Sequence, residues 1–183
     1  LVAVGWGAVL WPAAAAALAS SDVDYLACPD DVDATEMEEI TDWLDDVRSK
    51  YCIGKLVLPE YAADNMAVVN FSASGIKVGA KTYTGAQYCS RVAGQLAGTP
   101  RSNSATSAPR EKVEGVTAVA DPDAAVAAGK LILVHDGRKV KLGRAVNSLV
   151  TVPTDQSEAL KKIKIVEAVD LIRRESKILI EDQ

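Results

Sequence analysis

The 183-residue chain carries a formal charge of −5, is 49% apolar, and holds a single Phe and a single His. That apolar share excludes global disorder, and the mixed, slightly acidic balance argues against nucleic acid as the main partner, because phosphate binding needs a concentrated cationic surface. Three widely spaced cysteines, Cys28, Cys52 and Cys89, fit neither a disulfide framework nor a zinc site, so a reduced compartment is the simpler expectation.

Residues 1–19 carry no charge. The stretch has the length of a membrane span or signal core, but no Lys or Arg precedes it and Pro12 interrupts it. The expectation is a buried strand over 1–4, a turn at Gly5 and Gly7, and an Ala-rich helix with Pro12 in its first turn. A membrane-associated protein held by this stretch is the alternative. The start without Met sets the further expectation that residues upstream are missing. A short strand follows over 23–27, closed by Pro29.

Asp33 and Glu36 have capping-box spacing, and Arg48 and Lys50 fall in the last turn of the helix they open. Met37, Ile40, Trp43, Leu44 and Val47 lie on one face of it, as a helix covering a sheet requires. The compact apolar runs 55–58 and 67–71 read as buried strands. A hairpin over 75–82 and a second covering helix over 85–96, ended by Gly98 and Pro100, come next. Residues 101–110 are rich in Ser, Thr, Asn and Pro and read as a linker or exposed loop. Beyond them a short helix over 121–128 stops at Gly129. Strands over 130–135 and 138–145 flank Asp136-Gly137, a two-residue hairpin signal. A long helix is expected from about Asp155, capped with Glu158, to about Ile180, with Leu160, Ile163, Val166, Val169 and Ile172 as its stripe. Strand, helix, strand in alternation predicts an α/β fold: a mainly parallel sheet core covered by helices, then a smaller α+β region with a hairpin and a long helix.

The residues name no reaction. His135 would need a nucleophile such as Ser72, Ser90 or Cys89, and no Gly-x-Ser-x-Gly elbow accompanies them. A Ser/Cys hydrolase of α/β class using His135 is the competing reading. Gly5-x-Gly7 is half a dinucleotide fingerprint. Asp30, Asp31, Asp33 and Glu36 lack EF-hand spacing, and a helix N-terminus attracts acids without metal. No catalytic, cofactor or metal residue is therefore assigned. The cations Arg138, Lys139, Lys141 and Arg144 alternate with Val140 and Leu142, placing charge on one strand face. Such a face is solvated, or an edge awaiting a partner strand or an acidic neighbour.

The second half resembles the tail sheath family of contractile phages. The stretch Gly129-Lys130-Leu131-Ile132-Leu133-Val134-His135-Asp136-Gly137-Arg138-Lys139-Val140-Lys141 is followed by Val146-Asn147-Ser148-Leu149-Val150-Thr151. Then comes Lys162-Ile163-Lys164-Ile165-Val166-Glu167-Ala168-Val169-Asp170-Leu171-Ile172. A hairpin around Asp-Gly, a Val/Ile-Asn-Ser/Thr-Leu segment and a helix with a Lys/Arg-Ile-x-x-Val-x-Asp-x-Ile pattern share this order in sheath proteins. Upstream, Lys55-Leu56-Val57-Leu58 through Val68-Val69-Asn70 resembles the family's paired core strands. Val92-Ala93-Gly94-Gln95-Leu96-Ala97-Gly98 resembles the close of its Ala/Gly-rich helix.

The resemblance implies a non-catalytic, subtilisin-like α/β core over 1–100, a linker over 101–115, and the start of a sheath C-terminal domain over 116–183. It implies a structural subunit and not an enzyme, with no cofactor. The subunit forms rings or a helical sheath with copies of itself, around a tail tube protein and between baseplate and tail terminator proteins, without nucleic acid or membrane. Its place would be the virion tail, assembled in the host cytoplasm; a bacteriocin or secretion-type injection device is the variant reading. Family subunits join by donating terminal arms as strands. The hairpin over 130–145 is the expected acceptor edge, and Leu131, Leu133, Arg138, Lys139, Lys141 and Arg144 are the subunit-interface candidates.

Overall fold

The computed structural model describes residues 18, 23–28, 31–50 and 54–181. The strand, turn and most of the helix expected over 1–19 lie outside these residues, as do Asp30 and Cys52. The fold is mixed α/β. Strand β1 (Tyr25–Ala27) leads to helix α1 (Ala34–Ser49), then β2 (Lys55–Pro59), β3 (Val68–Ser72) and the small pair β4 (Ile76–Val78) and β5 (Lys81–Tyr83). Helix α2 (Gly85–Gly98), a long loop, α3 (Pro122–Ala127), β6 (Lys130–His135), β7 (Val140–Leu142), a 3-10 turn (Glu158–Lys161) and α4 (Ile163–Glu181) complete it.

The main sheet has five strands in the order β1-β2-β3-β6-β7. The first four run parallel and β7 returns antiparallel to β6. In β2, Leu56 and Leu58 pack into the cluster holding Ile40 and Leu44 of α1, while Val57 packs into the cluster holding Tyr88, Cys89, Val92, Ala93 and Leu96 of α2. Strand alternation thus sends neighbouring residues to two layers, with α1 and α2 on opposite faces of the sheet. The expected α1 face is present: Ile40, Leu44 and Val47 are buried, and Met37 and Trp43 half-buried. Both covering helices open with capping boxes, Asp33 with Glu36 and Thr84 with Gln87, which satisfy amides that the helix cannot.

Three expectations are corrected. The hairpin connection is four residues, 136–139, and not the two of Asp136-Gly137, because His135 pairs with Val140. Asp136 Oδ1 accepts the amides of Arg138 and Lys139 at 3.0 and 2.9 Å, holding a wider turn. The returning strand is also shorter than 138–145. The long helix begins at Ile163 and not near Asp155: Ser157 caps a separate 3-10 turn, and Lys162 is extended. The amides of Asn147 and Ile163 donate to Lys161 O (3.0 Å) and Ala145 O (3.2 Å), so pairing across the fold outcompetes the helix at this joint. Finally, Ile163 and Val166 are buried but Val169 and Ile172 are exposed. Each step of three residues falls about 60° short of a full turn, so a stripe read at that spacing drifts to the opposite side by its fourth member.

The Asn147-Ser148 segment binds the pieces together. Asn147 is 0% and Ser148 1% exposed. Asn147 Nδ2 donates to Leu160 O at 2.7 Å, and its Oδ1 accepts from Leu149 N–H at 3.2 Å. Ser148 Oγ donates to Asn65 O at 2.9 Å and accepts from Asn65 N–H at 3.1 Å. Gly129 (φ +71°) passes so close that a Cβ there would meet Ser148 O at 2.9 Å. Asn147→Ala leaves two buried backbone groups unpaired and should lower stability by about 2–3 kcal/mol. Gly129→Ala, strained in both φ and contact, should also destabilise measurably. Urea unfolding checks both, and midpoints equal to wild type would refute this account.

Candidate functional site

The most heavily buried charges meet where α1, β2 and α4 converge. Asp170 of α4 is 2% exposed, Arg48 of α1 7% and Lys55 of β2 4%. Asp170 Oδ1 accepts from Arg48 Nη2 at 2.7 Å; its Oδ2 accepts from Arg48 Nη1 at 3.2 Å and pairs with Lys55 Nζ at 2.8 Å. Arg48 Nη1 also donates to Gly54 O at 2.9 Å. Beside them Lys55 Nζ stands 5.4 Å from the Tyr25 ring centroid, and Tyr25 Oη donates to Glu167 Oε1 at 2.5 Å. Burial, with Glu167 alongside, pushes the Tyr25 hydroxyl well above the ordinary phenol range, so it stays a donor. A shallow cleft opens over Tyr25, Lys55, Glu167 and Asp170, rimmed by Arg101 and Leu171.

The sequence reading placed Arg48 at the helix end for the dipole and left Lys55 and Asp170 unassigned. The signal was available: Lys55 opens a strand whose next three residues are buried, and Asp170 sits four residues after Val166 on α4's inner row. A charge in a core position requires a partner. Asp170→Ala leaves two buried cations without it and should cost about 3–5 kcal/mol, whereas replacing all three charges by apolar residues of similar volume should cost far less. Denaturation midpoints of the two variants decide; equal losses would show that packing and not charge dominates.

The interface candidates divide by location. Leu131 and Leu133, in β6 of the hairpin itself, are buried in the core. Arg138, Lys139 and Arg144 are exposed, and half-buried Lys141 pairs with Asp136. That pairing and two backbone amides hold the Asp136 carboxyl well below the usual carboxylate range. The outer edge of β7 is already occupied within the chain, correcting its expected role as an open acceptor. Leu142 N–H donates to Ala108 O at 2.9 Å and Arg110 N–H to Val140 O at 2.8 Å. The loop over 101–110 is therefore mostly exposed but folded back, its last residues tied to the sheet.

Among the described residues no hydrogen bond joins His135 to Ser72, Ser90 or Cys89, and Ser72 Oγ donates instead to Glu60 Oε1 at 2.6 Å. His135 is exposed, and its hydrogen bond among the described residues is Nδ1 accepting from Gly137 N–H at 3.0 Å. Cys28 and Cys89 are buried, and burial pushes both thiols up to about 12, far from the thiolate a nucleophile needs. Alkylation at pH 8 with peptide mapping should label both slowly in the native protein and quickly in urea; fast native labelling would contradict their burial. Asp33 and Glu36 serve the α1 cap. Among the described residues no helix is long and apolar enough to cross a membrane, and no group of three His, Cys, Asp or Glu is placed to hold a metal.

What this architecture defines is an α/β domain with a mostly parallel sheet whose most deeply buried charges are engaged with one another. The chain matches no protein-family model. It is 36% identical over 163 residues to the tail sheath protein of Clostridium phage phiCD119, covering 87% of this chain and 45% of that protein. The crystal structure of a sheath tail protein from Desulfitobacterium hafniense superposes with a TM-score of 0.87 at 19% identity, over 97% of this chain and 44% of the other. One from Listeria innocua gives 0.80 at 22%, over 87% and 38%; both likenesses concern the fold. The chain is thus similar to tail sheath proteins in sequence and in fold, and it spans less than half the length of those it matches.

Proposed function

We propose that the chain forms part of a structural subunit of a contractile tail sheath. Copies stack around a tail tube in an extended lattice, then repack into a shorter and wider one that drives the tube through the host envelope. The observation that carries this reading is the 36% identity to a phage tail sheath protein across 87% of the chain. The free energy resides in subunit contacts not yet made, so the subunit needs no catalytic step and no cofactor. Its partners are other copies, the tube protein, and the baseplate and terminator proteins at the ends. It is a virion component put together in the host cytoplasm.

The surface supports assembly. Val169, Ile172, Ile178, Leu179 and Ile180 of α4 are exposed, from 38% at Val169 to 75% at Ile180. Val169, Ile172, Leu179 and Ile180 fall within about 100° of the helix circumference, with Ile178 outside that sector, and an exposed apolar face of this kind marks a contact surface. Arg138, Lys139 and Arg144, at the β7 end of the sheet, add a separate exposed cationic patch suited to an acidic neighbour. Arms donated from a neighbour would join the sheet at β1, whose outer edge has no strand partner among the described residues, by backbone pairing.

Negative-stain electron microscopy of the gene product containing this chain should show tubes or stacked rings. Monodisperse particles at high concentration and varied salt would count against a sheath. Ile172→Glu with Leu179→Glu should abolish the polymers while leaving the melting temperature within about 2 °C, since exposed substitutions change stability little. Polymers that persist would remove α4 from the contact surface.

A further inference from the structure

The connection between β6 and β7 holds the chain's single Asp-Gly pair, Asp136-Gly137, and the sequence contains no Asn-Gly. In an Asp-Gly pair the glycine amide nitrogen can attack the side-chain carboxyl that precedes it. An N–Cγ bond forms as the Cγ–OH bond breaks, and the hydroxyl leaves with the amide proton as water. Water then opens the five-membered imide at either carbonyl, giving back aspartate or a β-linked isoaspartate. Glycine permits the closure because it has no Cβ to crowd the ring. Here both residues are exposed, Gly137 has φ +89°, and a Cβ built on it would meet nothing within 4 Å. Neither burial nor crowding protects the pair.

Hydrogen bonds hold both reacting groups instead. The attacking amide, Gly137 N–H, donates to His135 Nδ1 at 3.0 Å, so the neutral imidazole carries its proton on Nε2. The carboxyl under attack is held on both oxygens. Asp136 Oδ1 accepts from the amides of Arg138 and Lys139 at 3.0 and 2.9 Å, and Oδ2 pairs with Lys141 Nζ. Each of these donors favours the charged form, led by Lys141, and the acid stays ionised well below the usual range. An ionised carboxylate is a poor target, because its oxygen leaves as water only once it is protonated. Rearrangement would also add a methylene to the main chain of the turn and draw the carboxylate off the two amides that close it.

We propose that Asp136-Gly137 is a guarded modification site, at which His135 and Lys141 keep an exposed hairpin from rearranging to isoaspartate. This gives the chain's one histidine a task that needs no nucleophile beside it. The guard concerns the turn alone and is independent of the sheath reading.

The test is isoaspartate content after weeks at neutral pH and physiological temperature. It is read on the tryptic peptide 131–138 by chromatography, which separates the two isomers of equal mass. Folded wild type should rearrange about tenfold or more slowly than the same chain held in urea. Lys141→Met, which keeps the aliphatic stem, and His135→Ala should each raise the folded rate about threefold or more, with unchanged melting curves. Lys139→Ala removes a neighbouring charge but leaves every one of these contacts, and should rearrange like wild type. Wild type that rearranges as fast folded as in urea overturns the proposal. So does a rate at or below wild type in Lys141→Met or His135→Ala; a slower His135→Ala would show the imidazole promoting the attack as a base. A rise in Lys139→Ala equal to theirs overturns it as well, since any change to the turn would then suffice.

Discussion

The fold depends on one carboxylate. Asp170 of α4 stands between Arg48 at the end of α1 and Lys55 at the start of β2, two neighbouring elements that it joins from more than a hundred residues away. Burying either cation alone would be prohibitive, so α1 and β2 reach their observed arrangement only with α4 seated against them. The cluster favours this arrangement over alternatives in which the apolar faces pack equally well. A displaced α4 would leave charge stranded in the core, whereas a displaced leucine finds another apolar neighbour. The Tyr25–Glu167 bond adds β1 to the same junction.

The hydrogen bonds of Asn147 and Ser148 do for the loops what Asp170 does for the layers. They connect the loop after β2, the start of β3 and the joint before α4. The two centres are complementary. One is ionic and fixes the middle of α4, while the other is neutral and fixes its beginning. Between them Ile163 and Val166 supply apolar burial.

Much of this was legible in the sequence where local chemistry decides. Asp33 with Glu36 marked the start of α1, and the apolar runs beginning at Lys55 and Ala67 marked the central strands. Gly129, the Asp-Gly hairpin region and the order of segments pointed to the sheath family. What the sequence hid was non-local. Nothing near Lys162 says that it is extended, because its neighbours 145–147 come from a separate segment. Asp170 read as one more polar helix residue, since its partners lie 115 and 122 positions away. The free edge expected at β7 was lost to residues 107–110, which looked like open linker because they are polar.

Helix α4 is held firmly as far as Asp170 and then continues for about ten residues to exposed Ile180, roughly 15 Å at the usual helical rise. Beyond the junction Arg174 faces Asp24 at 3.9 Å, and the last turns carry exposed Leu179 and Ile180; a helix seated at its base amplifies rotation toward its tip. A tilt of about 10° around the Asp170 junction would carry the tip by roughly 3 Å, close to the width of an atom. Small readjustments in the ionic junction thus become displacements of the exposed apolar tip comparable to an atom's width.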